Sequence, residues 1–173
     1  MTAQTARWVP AYIGVGSNLN SPVSQVQQAI IELAAIEQSR VASVSALYES
    51  APMGPPDQPM YINAVVSMLT RLSPHRLLDA LQNIEQMQGR TRDGVHWGPR
   101  TLDLDLLVFS NLQIHDDRLI VPHAGIAERI FVLLPLCELA PHLEVPGRGP
   151  VDVLLRSLPE SVGQIEKIEN PLP

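Results

Sequence analysis

Residues 61–89 decide the fold of this chain, and they read YINAVVSMLTRLSPHRLLDALQNIEQMQG. The segment Tyr61–Thr70 is rich in apolar and β-branched residues, which predicts a strand. Ser73 supplies an N-cap, and Pro74 suits the first position of a helix. An apolar stripe at helical spacing follows, formed by Leu77, Leu78, Leu81 and Ile84. A helix is therefore predicted after Ser73, and Gly89 is expected to end it because glycine is common just past a helix end.

The segments before and after this stretch complete the order of elements. Val9–Val15 predicts a strand, and Ser21 supplies a second N-cap, ahead of Pro22, for a helix predicted over Pro22–Glu37. Arg40–Tyr48 alternates between two faces and predicts a strand, as does Thr101–Phe109. The order β-α-β-β-α-β predicts an α+β fold with a ferredoxin-like core.

The C-terminal segments are expected to extend this core into a three-layer α-β-α domain. Gln113–Val121 predicts a hairpin, Glu128–Leu139 a helix and Val151–Leu158 a short helix, whereas Gln164–Pro173 is expected to be a polar tail. Ser50–Pro59 holds four prolines and one glycine in ten residues, which predicts a stiff, irregular loop. One domain is expected over residues 1–173, with an ordered core over about 9–160.

The composition is that of a folded, acidic protein. The chain has 45% hydrophobic residues, a formal net charge of −6 and a single cysteine, Cys137. The charge disfavours binding to a long nucleic acid, and a single cysteine excludes an internal disulfide. The sequence shows no signal-peptide pattern and no uninterrupted apolar run of about 18 residues, so a cytoplasmic protein without a membrane partner is expected.

The strongest signal for chemistry is HWGPRTLDLDLL, residues 96–107. On a strand, Asp103 and Asp105 share one face with their Cα atoms about 6.6 Å apart. Two such carboxylates repel each other unless a cation lies near them. Mg²⁺ suits this pair, because it binds through one or two carboxylates and takes further ligands from substrate phosphates. Two solvated aspartates on an exposed sheet face remain the alternative.

Arginines cluster just before the aspartate pair, at Arg90, Arg92 and Arg100. The guanidinium fork matches phosphate oxygens, so this arrangement indicates a site where phosphate and Mg²⁺ meet. Ordinary ion pairs with Asp93 and Glu85 are the alternative.

Aromatic and amide side chains suit a flat heterocycle. Tyr61 and Asn63 share one face of their predicted strand, although a core tyrosine beside a structural asparagine explains them equally. Trp97 lies between polar residues and a glycine-proline pair, which suits closure over a planar ligand as well as burial in the core. The five histidines form no i, i+4 pair, so no zinc site is predicted.

Several short motifs together carry a family resemblance. They are Gly16-Ser17-Asn18, Asp57-Gln58-Pro59, Gln88-Gly89-Arg90, Gly98-Pro99-Arg100 with the two aspartates, and Val121-Pro122-His123. Over about Ala11–Leu158 the chain resembles the 6-hydroxymethyl-7,8-dihydropterin pyrophosphokinase family of folate biosynthesis. The resemblance implies transfer of the β,γ-diphosphate of ATP to the pterin hydroxymethyl group, release of AMP, and a monomeric enzyme.

The resemblance also implies roles for individual residues. Asp103 and Asp105 would hold two Mg²⁺ ions with ATP, and with them the implied catalytic residues are Arg90, Arg92 and Arg100. The implied pterin-binding residues are Ser50, Met53, Gly54, Tyr61, Asn63, Trp97 and Phe131, the first three through their backbone. The implied ATP-binding residues are Glu85, Arg92, Arg100, Leu106, Arg118, Ile120, His123 and Arg129.

The sequence departs from the family pattern in three places. Asp93 stands where relatives often carry a basic residue, and Ala124 stands where they often carry tyrosine. Ser50-Ala51 replaces a commoner Thr-Pro, which is expected to be a mild change because the contact there is mainly through the backbone. Two other classes of function remain compatible with the residues: a non-catalytic ferredoxin-like ligand-binding module, and a Mg²⁺-dependent phosphodiesterase. The phosphodiesterase gives no purpose to Tyr61, Asn63 and Trp97.

Overall fold

The computed structural model of the protein describes residues 7–89 and 99–169. The strands are β1 (Val9–Ser17), β2 (Ser39–Val44), β3 (Leu47–Ser50), β4 (Tyr61–Thr70), β5 (Asp103–Phe109), β6 (Ile114–His115), β7 (Ile120–Val121), β8 (Glu144–Val145), β9 (Gly149–Pro150) and β10 (Ile165–Ile168). The helices are α1 (Pro22–Ala34), α2 (Pro74–Met87), α3 (Ile130–Leu139) and α4 (Val151–Arg156), and a 3-10 turn spans Glu160–Val162. No helix within these residues is long and apolar enough to cross a membrane.

A six-stranded sheet forms the middle layer. Its strand order is β10-β3-β4-β1-β5, and β2 also pairs with β4. All of these pairs are antiparallel. The order β3-β4-β1-β5 is that of a ferredoxin-like core, and the predicted fold class is confirmed.

Helices cover both faces of the sheet. Ile13 and Val15 of β1 pack with α1 and α2 in one apolar cluster, whereas Val65 of β4 and Leu107 of β5 pack with α3 and α4 in another. Each fully buried Leu, Ile or Val side chain contributes roughly 1.5–3 kcal/mol. The two clusters therefore stabilise the three-layer arrangement that the sequence predicts.

The two predicted Ser-Pro helix starts differ in detail. The Ser73 hydroxyl accepts a hydrogen bond from the backbone N–H of Arg76 at 3.4 Å, as predicted. Ser21 makes no such bond; it has a left-handed conformation, with φ of 62°, and the predicted side-chain cap is wrong. Gly89 follows α2 with φ of 78°, which confirms its predicted place past the helix end.

The strand predicted over Arg40–Tyr48 is wrong as one element, because β2 ends at Val44 and β3 begins at Leu47. Between them, the Ser45 hydroxyl accepts the backbone N–H of Val65 at 2.9 Å, and the Ser45 N–H donates to the Val65 carbonyl at 2.9 Å. The Ser45 side chain thus replaces a backbone carbonyl as the acceptor for Val65, and the strand is interrupted there.

The polar tail predicted over Gln164–Pro173 is wrong for residues 165–168, which form β10 against β3. Ile168 packs on the core, and Lys167 Nζ lies 3.8 Å from Glu138. The predicted hairpin over Gln113–Val121 is confirmed by the pairing of β6 with β7. The two predicted C-terminal helices correspond to α3 and α4.

Candidate active site

A cavity of about 260 Å³, here the first cavity, lies between the sheet and α3. Among its walls are all predicted pterin-binding residues that the structure describes: Ser50, Met53, Gly54, Tyr61, Asn63 and Phe131. The charged side chains that line it are Arg100, Asp103, Asp105, His123 and Arg129. Residues from four separate segments of the chain therefore meet at one cavity.

The floor of the first cavity includes two glycines of β1, Gly14 and Gly16. Both face the α3 side, since the alternate residues Ile13 and Val15 are buried on the other face. Without side chains, the strand leaves room for a ligand to approach its backbone. The sequence interpretation missed these residues, although two glycines at i, i+2 in an apolar strand are a signal of such an approach.

The Gly-Ser-Asn motif at the end of β1 holds together the segments that carry the site. The Asn18 side chain donates to the carbonyl of Pro59 at 3.2 Å and accepts the backbone N–H of Arg100 at 2.8 Å. The Ser17 hydroxyl donates to the carbonyl of Thr101 at 2.5 Å. These contacts fix the loop before Tyr61 and the segment before the aspartates to one strand end.

Asp103 and Asp105 lie on the same face of β5, as predicted, with side chains that are 25% and 34% exposed. Arg100 Nη1 donates to Asp103 Oδ1 at 2.8 Å. Burial and the charge of Asp103 raise the pKa of Asp105 to about 7. Burial lowers the pKa of Arg100, but the charge of Asp103 and the hydrogen bond to it outweigh burial and raise the pKa above its ordinary value.

Glu85 lies beneath β5 and not on a cavity wall. Its side chain comes from α2, is 2% exposed, and accepts the backbone N–H of Leu104 through Oε1 at 2.7 Å. Leu104 stands between the two aspartates in the chain, so the contact fixes the backbone that carries them. The negative charge of Glu85 also raises the pKa of Asp105.

His123 follows the cis peptide bond between Val121 and Pro122. Its Nδ1 accepts the backbone N–H of Gly125 at 3.1 Å, and its Nε2 lies 3.7 Å from Asp105 Oδ2. Burial and the nearby charge of Arg129 lower the pKa of His123. A neutral ring with an unprotonated Nδ1 carries its proton on Nε2, toward the aspartate.

A second cavity of about 310 Å³ adjoins the first and shares Asp105 and His123 with it. Of the predicted ATP-binding residues, Leu106, Arg118, Ile120 and His123 line this second cavity. Arg100 and Arg129 line the first cavity instead. Arg118 is paired with Asp79 of α2, and Ala124 also lines the second cavity.

Three predicted site residues, Arg90, Arg92 and Trp97, lie outside the described residues.

The donor set fits Mg²⁺. Two carboxylates stand on one strand face, and burial and the charge of Asp103 raise the pKa of Asp105, so a cation beside the pair would favour its charged form. Within residues 7–89 and 99–169, no three His, Cys, Asp or Glu side chains gather as a metal-binding group. A cation here would take its other ligands from water and phosphate, as Mg²⁺ does.

Comparison with protein families matches residues 12–141 to the family described as 7,8-dihydro-6-hydroxymethylpterin-pyrophosphokinase (HPPK). The chain belongs to this family. It is 44% identical over 148 residues to the 2-amino-4-hydroxy-6-hydroxymethyldihydropteridine pyrophosphokinase of Haemophilus influenzae, covering 86% of this chain and 92% of that protein. With the Pseudomonas aeruginosa enzyme of the same name it shares 47% identity over 148 residues, 86% of this chain and 91% of the relative.

Among solved structures, a Plasmodium falciparum HPPK-DHPS chain with pterin and p-hydroxybenzoate superposes with a TM-score of 0.70 at 13% identity. The match covers 90% of this chain and 44% of the Plasmodium falciparum chain, so this protein spans less than half of that longer chain. At 13% identity the likeness shows the fold alone. The family match and the relatives confirm the predicted HPPK family and a pyrophosphokinase of folate biosynthesis. They do not favour the non-catalytic module.

Proposed function

We propose that the protein transfers the β,γ-diphosphate of ATP to 6-hydroxymethyl-7,8-dihydropterin, with the pterin in the first cavity and ATP in the second. The observation that carries this assignment is that both cavities share Asp105 and His123. A two-substrate transferase holds its reactants in line on either side of one reacting centre. The shared wall of the two cavities is such a centre.

The first cavity suits a pterin by shape and polarity. Tyr61 and Phe131 supply aromatic faces for a flat ring, and Asn63 supplies an amide for its polar edge. The glycine floor allows the ring to lie against β1. Trp97 belongs to this proposed set as the residue that closes over the pterin.

The second cavity suits ATP. Leu78, Leu106 and Ile120 give an apolar wall for the adenine, and Arg118 gives a guanidinium for phosphate. Because Arg118 is paired with Asp79, the nucleotide would share or displace that partner. Glu85 acts from beneath, through the backbone of β5.

The transferred diphosphate carries charge that the enzyme must stabilise. Arg100 and Arg129 face the first cavity, and Arg90 and Arg92 belong to the same proposed set. Asp103 and Asp105 would hold two Mg²⁺ ions, which supply charge neutralisation and Lewis-acid polarisation of the phosphoryl oxygens.

In the reaction, the hydroxymethyl oxygen forms a bond to the β-phosphorus of ATP. The bond from that phosphorus to the α,β-bridging oxygen breaks, and AMP leaves. The hydroxyl proton passes to Asp105 or to water. His123 holds its Nε2 proton at the boundary of the two cavities, where it donates to a phosphate oxygen.

The proposal treats residues 1–173 as a single pyrophosphokinase domain that acts as a monomer in the cytoplasm, with no nucleic-acid or membrane partner. The net charge of −6 supports it, because the chain as a whole repels polyanions while arginines line the proposed site.

The direct test is incubation of the protein with MgATP and 6-hydroxymethyl-7,8-dihydropterin, followed by chromatographic separation of nucleotides. AMP and the pterin diphosphate are expected, and EDTA should stop their formation. Formation of ADP, or no nucleotide turnover, contradicts the proposal.

Asp105→Asn tests the proposed metal ligand. The loss of several kcal/mol of transition-state stabilisation should lower the rate by about a hundredfold or more. Asp152→Asn is the matched control, since Asp152 pairs with Arg156 on α4 at 3.1 Å and lines neither cavity. Activity of Asp105→Asn within tenfold of the wild type contradicts the metal role.

A further inference from the structure

The hydroxyl group of Ser50 contacts the amide side chain of Asn63 at the wall of the first cavity. Ser50 ends β3 and is 3% exposed, and Asn63 on β4 is 5% exposed. Asn63 Nδ2 donates to Ser50 Oγ at 2.8 Å, and both residues line the cavity. The family resemblance implied only a backbone role for Ser50, so this side-chain contact is additional.

The contacts of Asn63 determine which way its amide points. Nδ2 also donates to the backbone carbonyl of Tyr48 at 3.4 Å. A carbonyl oxygen only accepts, so the amide nitrogen lies toward β3. Oδ1 therefore points the other way, where it lies 3.5 Å from the position that a Cβ on Gly16 would occupy, beside the cavity floor.

We propose that Ser50 is a positioning residue whose hydroxyl fixes the Asn63 amide so that Oδ1 accepts an N–H of the bound heterocycle. The proposal rests on the proposed function, since it assigns this edge of the first cavity to the N–H group of a pterin. The terminal torsion of an asparagine has two broad, roughly equivalent orientations that exchange its oxygen and nitrogen. The acceptor-only carbonyl of Tyr48 selects the orientation with Nδ2 toward β3, and the 2.8 Å bond to Ser50 holds the amide in it.

Another buried serine shows what a purely structural hydroxyl does in this sheet. Ser45 Oγ accepts the backbone N–H of Val65 at 2.9 Å and donates to the backbone carbonyl of Ala46 at 2.8 Å. Its partners are main-chain groups of the ladder. Ser50 differs, because its hydroxyl holds a side chain at the cavity wall.

The test compares Ser50→Ala, Ser50→Thr and Ser50→Val in the full chain by the steady-state rate of AMP release. Ser50→Ala should raise the KM for the pterin about tenfold, the effect of one hydrogen bond, and leave the KM for ATP unchanged. Ser50→Thr retains the hydroxyl and should stay within about threefold of the wild type, whereas Ser50→Val, of similar volume, should not. Ser45→Ala is the matched control, expected to lower the melting temperature without raising the pterin KM.

A second measurement does not depend on turnover. In ligand-free wild-type protein, the Nδ2 protons of Asn63 should exchange slowly with solvent, and Ser50→Ala should speed this exchange whereas Ser50→Thr should not. If the wild type releases no AMP, the proposed function fails, and an unchanged exchange rate of the Nδ2 protons in Ser50→Ala would separately overturn the positioning role. An unchanged pterin KM in Ser50→Ala, or a Ser50→Val enzyme equal to Ser50→Thr, also overturns the proposal.

Discussion

Gly125→Ala is expected to slow the enzyme by displacing the guanidinium of Arg129. A Cβ at position 125 would stand 2.5 Å from Nε and 2.8 Å from Cζ of Arg129. Ordinary contacts begin at 3.4 Å, so the guanidinium must move by roughly 1 Å. The proposed function has Arg129 donate to an oxygen of the transferred diphosphate, and a charged N–H···O bond of about 2.8 Å, moved by that distance, lies beyond hydrogen-bonding range.

The size of the effect follows from the lost bond. A hydrogen bond to a charged group contributes about 1.5–3 kcal/mol, so kcat/KM should fall by about tenfold to a hundredfold. Stability should not fall, because the φ of Gly125 lies outside the left-handed region and alanine restricts the unfolded chain. The backbone N–H that binds His123 is retained in the variant.

The assay is kcat/KM for AMP release by the wild type, Gly125→Ala, Arg129→Ala and the double variant, with melting temperatures as the stability control. Because both changes act on one guanidinium, the double variant should be no slower than Arg129→Ala. A Gly125→Ala enzyme within twofold of the wild type refutes the reasoning. So does a further loss when Gly125→Ala is added to Arg129→Ala.

Three further outcomes are expected. Tyr48→Phe removes a 2.5 Å hydrogen bond to Glu138 and should lower the free energy of unfolding at pH 7 by about 1.5–3 kcal/mol. Burial and Glu138 raise the pKa of Tyr48, so this stabilisation is present below pH 10 and is lost progressively as the pH rises above about 10. Urea unfolding of both proteins at pH 7 and pH 11 measures the loss. Asp79→Asn releases Arg118 and should lower the KM for ATP about twofold to fivefold; an unchanged or higher KM contradicts a phosphate role for Arg118. Ending the chain at Gly163 removes β10 from β3 and should lower the melting temperature and raise the pterin KM, and equal values for both proteins would contradict that support.

The order of elements was predictable because each long element carries its own periodic pattern. β4 and α2 show this, since an apolar strand, a Ser-Pro start and a closing glycine all lie within residues 61–89. β10 was not predictable in the same way. Residues 165–168 read IEKI, which is too short and too polar to indicate a strand alone. They form one because β3 offers an open edge whose backbone groups need partners.

The same distinction applies to the candidate site, where local spacing predicts some placements and tertiary packing determines others. Spacing along one strand predicts that Asp103 and Asp105 share a face, and the structure confirms that placement. The meeting of this pair with Arg129 and Phe131 depends on the packing of α3 against the sheet, which no local pattern in the sequence encodes. The family resemblance supplied those residues, and their roles remain predictions.

The position of β5 at one end of the sheet has a consequence for solubility. An outer strand exposes unpaired backbone groups on which a second chain can add its own strand. At Leu104, the N–H of that outer edge is already occupied by the buried carboxylate of Glu85. A second copy cannot pair there without breaking a charged hydrogen bond. The residue that fixes the backbone between the two aspartates therefore also protects this edge against aggregation.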